Sequence, residues 1–182
     1  MISPLLSNID LNPLDHRMAR EGFEMVRYAD DFVILCRSPE EAARALAKVQ
    51  DGTAAAGLTL HPTKTRIVNA QDDTVDFLGY RFGRGKKFPR TKSMPKIKDA
   101  IRAKTKRSNG QCLAAIIASL NPTLRGWFEY FKHSYHTTFT SLDKWVRGRL
   151  RSILRKRQRK RGRGRGSDHQ RWPNAFFAEQ GL

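Results

Sequence analysis

Two adjacent carboxylates, Asp30 and Asp31, follow Tyr28-Ala29 and sit between two apolar runs, Phe23 to Val26 and Phe32 to Cys36. Runs of that composition read as two strands joined by a tight connection. Acids at such a point are costly unless a cation or a donor compensates them. A rigid hairpin tip carrying a carboxylate pair is therefore a candidate site for a divalent metal, with Asp30 and Asp31 as ligands. His133 and His136 share an i, i+3 spacing but lack companions, and no cysteine follows Cys112. They are read as ordinary helix-surface histidines, without a Cys/His metal cluster around them.

The elements that must position the acids follow from the pattern on either side. Ser3-Pro4 opens a helix that runs to about Ala19, and the hairpin occupies residues 23–37. Ser38-Pro39-Glu40-Glu41 is a capping box with proline just inside, starting an alanine-rich helix to about Ala56 that Gly57 stops. A strand is expected around Thr65–Asn69 and another over Val75–Phe82, bent at Gly79. Past Gly83 the period becomes helical: Leu113, Ile116, Ile117 and Leu120 are spaced i, i+3, i+4, i+7. Asn121-Pro122 is expected to start a new helix, striped by Leu124, Trp127, Phe128, Phe131 and Tyr135. A third helix aligns Leu142, Trp145, Val146, Leu150, Ile153 and Leu154. These stripes predict a helical core, and Trp172, Phe176 and Phe177 a small closing element.

Charge divides the chain. Residues 1–83 hold 9 Lys+Arg against 12 Asp+Glu, and residues 84–182 hold 26 against 5, within an overall +18. An ordinary globular part is thus joined to one suited to a polyanion. The near-continuous run Arg155 to Arg165 is expected to fray into coil and to contact nucleic acid. Candidate contacts are Arg125, Lys132, Lys144, Arg147, Arg151, Arg155, Lys156, Arg157, Arg159, Lys160 and Arg161. Cys36 and Cys112 lie in apolar stretches and read as buried thiols of a reducing compartment. No apolar run approaches the roughly 18–20 residues that span a bilayer, so no membrane partner is expected. These features predict a soluble, cytoplasmic chain.

Tyr28-Ala29-Asp30-Asp31 resembles the Y-x-D-D box of reverse transcriptases, and the order of the surrounding motifs resembles group II intron reverse transcriptase/maturases. Ile2 to Ile9 is similar to the segment after that family's glycine-rich motif, and Leu58 to Thr65 to a later palm motif containing a lysine. Phe77-Leu78-Gly79-Tyr80 resembles the primer grip. Arg125-Gly126-Trp127-Phe128-Glu129-Tyr130-Phe131 and Leu142-Asp143-Lys144-Trp145-Val146 resemble the thumb, or maturase X domain. Asp168 to Asn174 fits bacterial members. The resemblance covers nearly the whole chain in the correct order.

The resemblance implies an α+β fold: a partial palm over 1–83, a linker over 84–95, and an all-α thumb/X-domain bundle with a basic C-terminal segment over 96–182. It implies nucleotidyl transfer supported by two Mg²⁺ ions. Asp30 would be the stronger ligand, Asp31 the weaker, and Lys64 would sit near the incoming nucleotide's phosphates. Phe77, Leu78, Gly79 and Tyr80 would hold the primer. The implied partners are structured intron RNA, a primer–template of RNA or DNA, and a separate polypeptide supplying fingers and the rest of the palm. The palm's third carboxylate, from an earlier strand, has no counterpart here, since Asp10 and Asp15 fall on the first helix. The chain is thus expected to be the C-terminal portion of a larger enzyme and inactive as a polymerase alone. The alternative is an RNA-binding maturase fragment with no polymerase activity of its own. A generic ribosomal-type RNA binder leaves the acidic hairpin unexplained.

Overall fold

A computed structural model describes residues 3–160, 162 and 166–182 of the chain. Two compact units emerge, Met1–Leu78 and Gly79–Leu182. Helices and small antiparallel pairs of strands make up both.

The first unit contains α1 (Ser3–Arg20), β1 (Glu24–Tyr28), β2 (Asp31–Leu35), α2 (Pro39–Ala55) and β3 (Val75–Phe77). β1 and β2 pair antiparallel, from Glu24↔Leu35 to Tyr28↔Asp31, so Ala29 and Asp30 alone make the turn. Leu11, Leu14 and Met18 recur at i, i+3 and i+7 on α1 and are buried with Ala45 and Val49 of α2. Phe23, Met25, Phe32, Ile34 and Cys36 lay the hairpin's inner face on that cluster. Half of the capping box forms as expected, the Ser38 hydroxyl accepting from Glu41 N at 3.2 Å, while the Glu41 carboxylate reaches one residue past the N-cap and accepts from Arg37 N at 2.6 Å. Gly57, at φ 69, ends the run as the 58→53 and 57→54 backbone bonds close behind α2. A Cβ on Gly52 would lie 2.8 Å from Leu14 Cδ1, so this glycine sets how closely α2 approaches α1.

Two strand expectations change here. Residues 65–69 form no strand: Ile67 is 51% exposed, and the chain turns at once, with Asp72 N and Asp73 N donating to Asn69 O. An extended run without a neighbour to complete its ladder gains nothing from strand geometry. The continuous strand expected over 75–82 is interrupted, because Leu78 and Gly79 both take positive φ (46 and 78).

The second unit contains β4 (Tyr80–Gly83), β5 (Lys86–Pro89), α3 (Ser93–Lys104), α4 (Leu113–Phe131), α5 (Thr137–Arg157), α6 (Gly166–Arg171) and α7 (Asn174–Glu179). β4 and β5 pair antiparallel around Arg84-Gly85, whose positive φ values (51 and 67) are those of a two-residue primed turn. Residues 84–95, read from sequence as a linker, thus carry β5 and the first residues of α3. The core joins Ile97 and Ile101 of α3, Leu113, Ile116, Ile117 and Leu120 of α4, and Leu142, Val146, Leu150 and Ile153 of α5. Trp172 and Phe177 of the closing segment complete it.

Pro122 does not start a helix, contrary to the sequence reading; it lies inside α4. The apolar stripe continues in phase across it, through Leu120, Leu124, Trp127 and Phe131. Burying that stripe offsets the backbone bond that proline removes. Cys112 is exposed, not buried; its sulfur accepts from Ala115 N at 3.4 Å and caps α4. Cys36 is half-buried. Among the described residues no helix is long and apolar enough to cross a membrane.

Candidate functional site

The hairpin of the first unit places its acids at the tip. Asp30 occupies the second turn position and Asp31 opens β2, and both are exposed. Neither carboxylate has a hydrogen bond or ion pair among the described residues. Ala29 precedes them with φ 54, a left-handed conformation that an L residue adopts only when its surroundings hold it. The two-residue turn between Tyr28 and Asp31 calls for it, and Arg27 braces it. Its Nη1 donates to Ala29 O at 2.8 Å and to Asn8 Oδ1 at 3.0 Å. Its Nε donates to Asp15 Oδ1 at 2.8 Å, and its Nη2 donates to Asp15 Oδ2. The hydrogen bond to Asp15 raises the Arg27 pKa above its ordinary value, against a smaller lowering by burial. Asp15 is thus committed to Arg27, while Asp10 is exposed on α1.

Mg²⁺ binds one or two carboxylates and completes its octahedron with water and phosphate oxygens. Two hard, exposed and uncompensated carboxylates are the donor type that such a partly hydrated ion takes. They fall short of a two-metal set: among the described residues no group of three His, Cys, Asp or Glu side chains converges. Lys64 is exposed in a turn, its backbone N donating to His61 O at 3.2 Å. No hydrogen bond or ion pair joins Lys64 to either aspartate among the described residues.

Phe77 is half-buried and Leu78 exposed at the end of the first unit. In the second unit Gly79 lies against Tyr130, where a Cβ would meet the phenol at 3.2 Å. Tyr80 stacks on Tyr130 with centroids 6.1 Å apart and donates its hydroxyl to Tyr130 O. Burial, followed by Tyr130, pushes the Tyr80 phenol up. Arg90 N closes the segment by donating to Gly79 O at 2.8 Å.

The basic side chains separate into two kinds. Arg151 is 3% exposed; its Nε donates to Trp172 O and its Nη2 to Asn174 Oδ1, both at 2.9 Å, while its guanidinium lies over Phe177. Arg155 is buried and its Nη1 meets Asp168 Oδ2 at 2.9 Å. Arg147 binds Asp143 and donates to Asn174 O at 2.7 Å. All three, expected to contact nucleic acid, fasten the C-terminal segment to α5; Arg151 and Arg155 are buried, where a guanidinium requires carbonyl and carboxylate partners, while Arg147 stays partly exposed. Lys132 pairs with Glu129 at 3.1 Å, and Arg157 donates to Gln111 O.

Arg125, Lys144, Lys156, Arg159 and Lys160 are exposed. Lys156, Arg159 and Lys160 line a shallow cavity of about 360 Å³ together with Arg107 and Gly162. None of those four cations has an ion pair among the described residues. Arg161 lies outside the described residues. Lys98, Arg102 and Arg149 also gather at the Trp145 ring, 5.3–5.6 Å from its centroid. Burial and then repulsion from Arg102 lower the Arg149 pKa. Sequence reasoning missed Arg27, Arg107 and this trio; only their placement, not their local pattern, marks them.

Comparison with known proteins gives two adjacent matches. Residues 1–82 match the family model for reverse transcriptase (RNA-dependent DNA polymerase), and residues 94–172 match the group II intron, maturase-specific domain. A 72-residue stretch is 39% identical to an uncharacterized 91 kDa protein in a cob intron of Schizosaccharomyces pombe. That stretch is 39% of this chain and 9% of the yeast protein.

Proposed function

We propose, since the chain belongs to the group II intron reverse transcriptase/maturase family, that it binds structured intron RNA to aid splicing and contributes its hairpin to RNA-directed DNA synthesis for intron mobility. In this reading residues 1–83 are part of a polymerase palm, 84–95 connect, and 96–182 are the thumb or maturase X domain. Asp30 and Asp31 would hold Mg²⁺, which when bound supplies charge neutralisation for phosphoryl transfer. Lys64 would face nucleotide phosphates, and Phe77 to Tyr80 would touch the primer. A further polypeptide segment would bring fingers and the third carboxylate. The exposure of Leu5, Leu6 and Ile9 on α1, and of Val26, Tyr28 and Leu35 on the hairpin, supports such a cover.

The observation that carries the RNA-binding part is the cavity of Arg107, Lys156, Arg159 and Lys160, four cations without a carboxylate partner among the described residues. Like charges gathered this way are relieved by a polyanion, and phosphates released of their counterions make the affinity salt-dependent. Contacts to about four phosphates predict a loss of roughly a hundredfold between 50 and 200 mM salt. Titration of intron RNA with the chain at several salt concentrations measures the slope, and Asp30→Ala should leave it unchanged. A flat salt response would overturn the binding role. Primer extension with Mg²⁺ by the chain alone, abolished in Asp30→Ala, would place polymerisation here without a further polypeptide.

A further inference from the structure

Arg27 lies on the same face of β1 as Met25, the face laid on the apolar cluster, and its side chain is 11% exposed. A guanidinium there is costly unless every donor is met. Two residues of α1 meet it, Asn8 and Asp15, seven positions and so about two turns apart on one side of the helix. The remaining acceptor is the carbonyl of Ala29. That carbonyl and the amide N–H of Asp30 belong to one planar peptide, so fixing the first fixes the plane from which Asp30 leaves the chain. Ala29 has no side chain able to hold its own left-handed φ. The pairing of Tyr28 with Asp31 sets the turn, and Arg27 fixes its carbonyl.

We propose that Arg27 is a positioning residue for the metal site: braced by Asp15 and Asn8, it holds the Ala29–Asp30 peptide so that the Asp30 carboxylate is presented to a divalent cation. This rests on the reading of Asp30 as a metal ligand. A merely structural role would make Arg27 a fastener between α1 and the hairpin, with no effect on the cation once the fold is intact. Lysine is the informative replacement, because one ammonium keeps the charge but cannot serve a carboxylate, an amide oxygen and a carbonyl in one plane.

The test uses the whole chain with Mn²⁺ as the probe. Free Mn²⁺ is followed by electron paramagnetic resonance, and the Asp30 amide by ¹H–¹⁵N NMR without metal. Arg27→Lys should weaken Mn²⁺ binding by about tenfold or more, the usual effect of losing a residue that orients a ligand. It should also move the Asp30 amide resonance while unfolding stays cooperative. Asn8→Ala removes one exposed bond, keeps the fold should Arg27→Lys fail to, and should give a smaller loss in the same direction. Asp30→Asn should abolish binding. Unchanged affinity and an unmoved Asp30 resonance in Arg27→Lys and Asn8→Ala, with binding lost in Asp30→Asn, would overturn the positioning role alone. Binding that survives Asp30→Asn, or is absent from the unaltered chain, would overturn the metal reading and the positioning role with it.

Discussion

The two units solve the same problem, an arginine on an inward face, and are left with opposite surpluses. Residues 1–78 carry 8 Lys+Arg and 12 Asp+Glu, and residues 79–182 carry 27 and 5. In the first, Arg27 is met by a carboxylate, an amide oxygen and a backbone carbonyl. In the second, Arg151 and Arg155 are met by the same classes of acceptor, supplied by residues 168–174. Among the described residues, exposed charges without an ion pair include Asp30 and Asp31 at the hairpin tip of one unit and the cluster of Arg107, Lys156, Arg159 and Lys160 in the other. Net charge alone conceals this. The surplus left after internal pairing is what a cation or a polyanion meets.

The comparison is tested most severely by truncating the carboxylate in each unit. Asp168 is 3% exposed at its side chain and faces Arg155 at 11%, so Asp168→Ala leaves a buried guanidinium without its carboxylate. Breaking a buried pair in this way costs about 3–5 kcal/mol. Asp15 is 35% exposed, and after Asp15→Ala the Arg27 guanidinium keeps Asn8 and the Ala29 carbonyl and gains water. A loss of about 1.5–3 kcal/mol is expected there, the range for a hydrogen bond to a charged group. Denaturant unfolding of both variants reads the difference. Equal losses would break the comparison, since the closing segment would then be held no more tightly than the hairpin tip.

Local signals in the sequence were enough for the elements that carry their own period or cap. Ser38, Pro39 and Glu41 marked the start of α2, and the stripe from Leu113 to Leu120 marked α4, because both are decided within one helical turn or two. The carboxylate pair was legible for the same reason: both of its neighbours are strand-like and the turn has room for only two residues. What escaped was settled by distant partners. Pro122 reads as a helix start until the phase of Leu120 and Leu124 is matched to a core that α3 and α5 complete. Arg151 and Arg155 read as nucleic-acid contacts until Asp168 and Trp172 are folded back on them. Arg27 reads as a strand residue until α1 is placed beside it.

The units also differ in how their helices meet. In the first, α1 and α2 approach across Gly52, where an added Cβ would lie 2.8 Å from Leu14 Cδ1. Leu14 is 5% exposed and has little room to retreat. Gly52→Ala therefore sets a helix-propensity gain of about 1 kcal/mol against an overpacking cost of about 1–3 kcal/mol. A net destabilisation near 1 kcal/mol is expected. Gly126 and Gly148, on α4 and α5, have nothing within 4 Å of an added Cβ. Alanine at either should stabilise by several tenths of a kcal/mol and up to about 1 kcal/mol. Thermal unfolding of the three variants should show opposite signs. A stabilising Gly52→Ala would mean that α1 and α2 are held apart more loosely than the Leu14 contact requires.

The smallest effect distinguishes the units by their thiols. Cys36 packs beside the inner hairpin cluster, and burial, reinforced by Glu41, raises its pKa above the ordinary thiol value. Cys112 is exposed at the start of α4. The thiolate is the reacting form, so a raised pKa leaves less of it at pH 8, and burial further limits access. Labelling with a disulfide reagent at pH 8 should give two phases, Cys112 first and Cys36 second. Cys112→Ser should leave only the slow phase, and Cys36→Ser only the fast one. Raising the pH should speed the slow phase as the Cys36 thiolate becomes populated. Should Cys36 react first, the inner hairpin face opens to solvent on the labelling timescale. The brace at Arg27 would then not suffice to keep the tip of the first unit as firmly placed as the closing segment of the second.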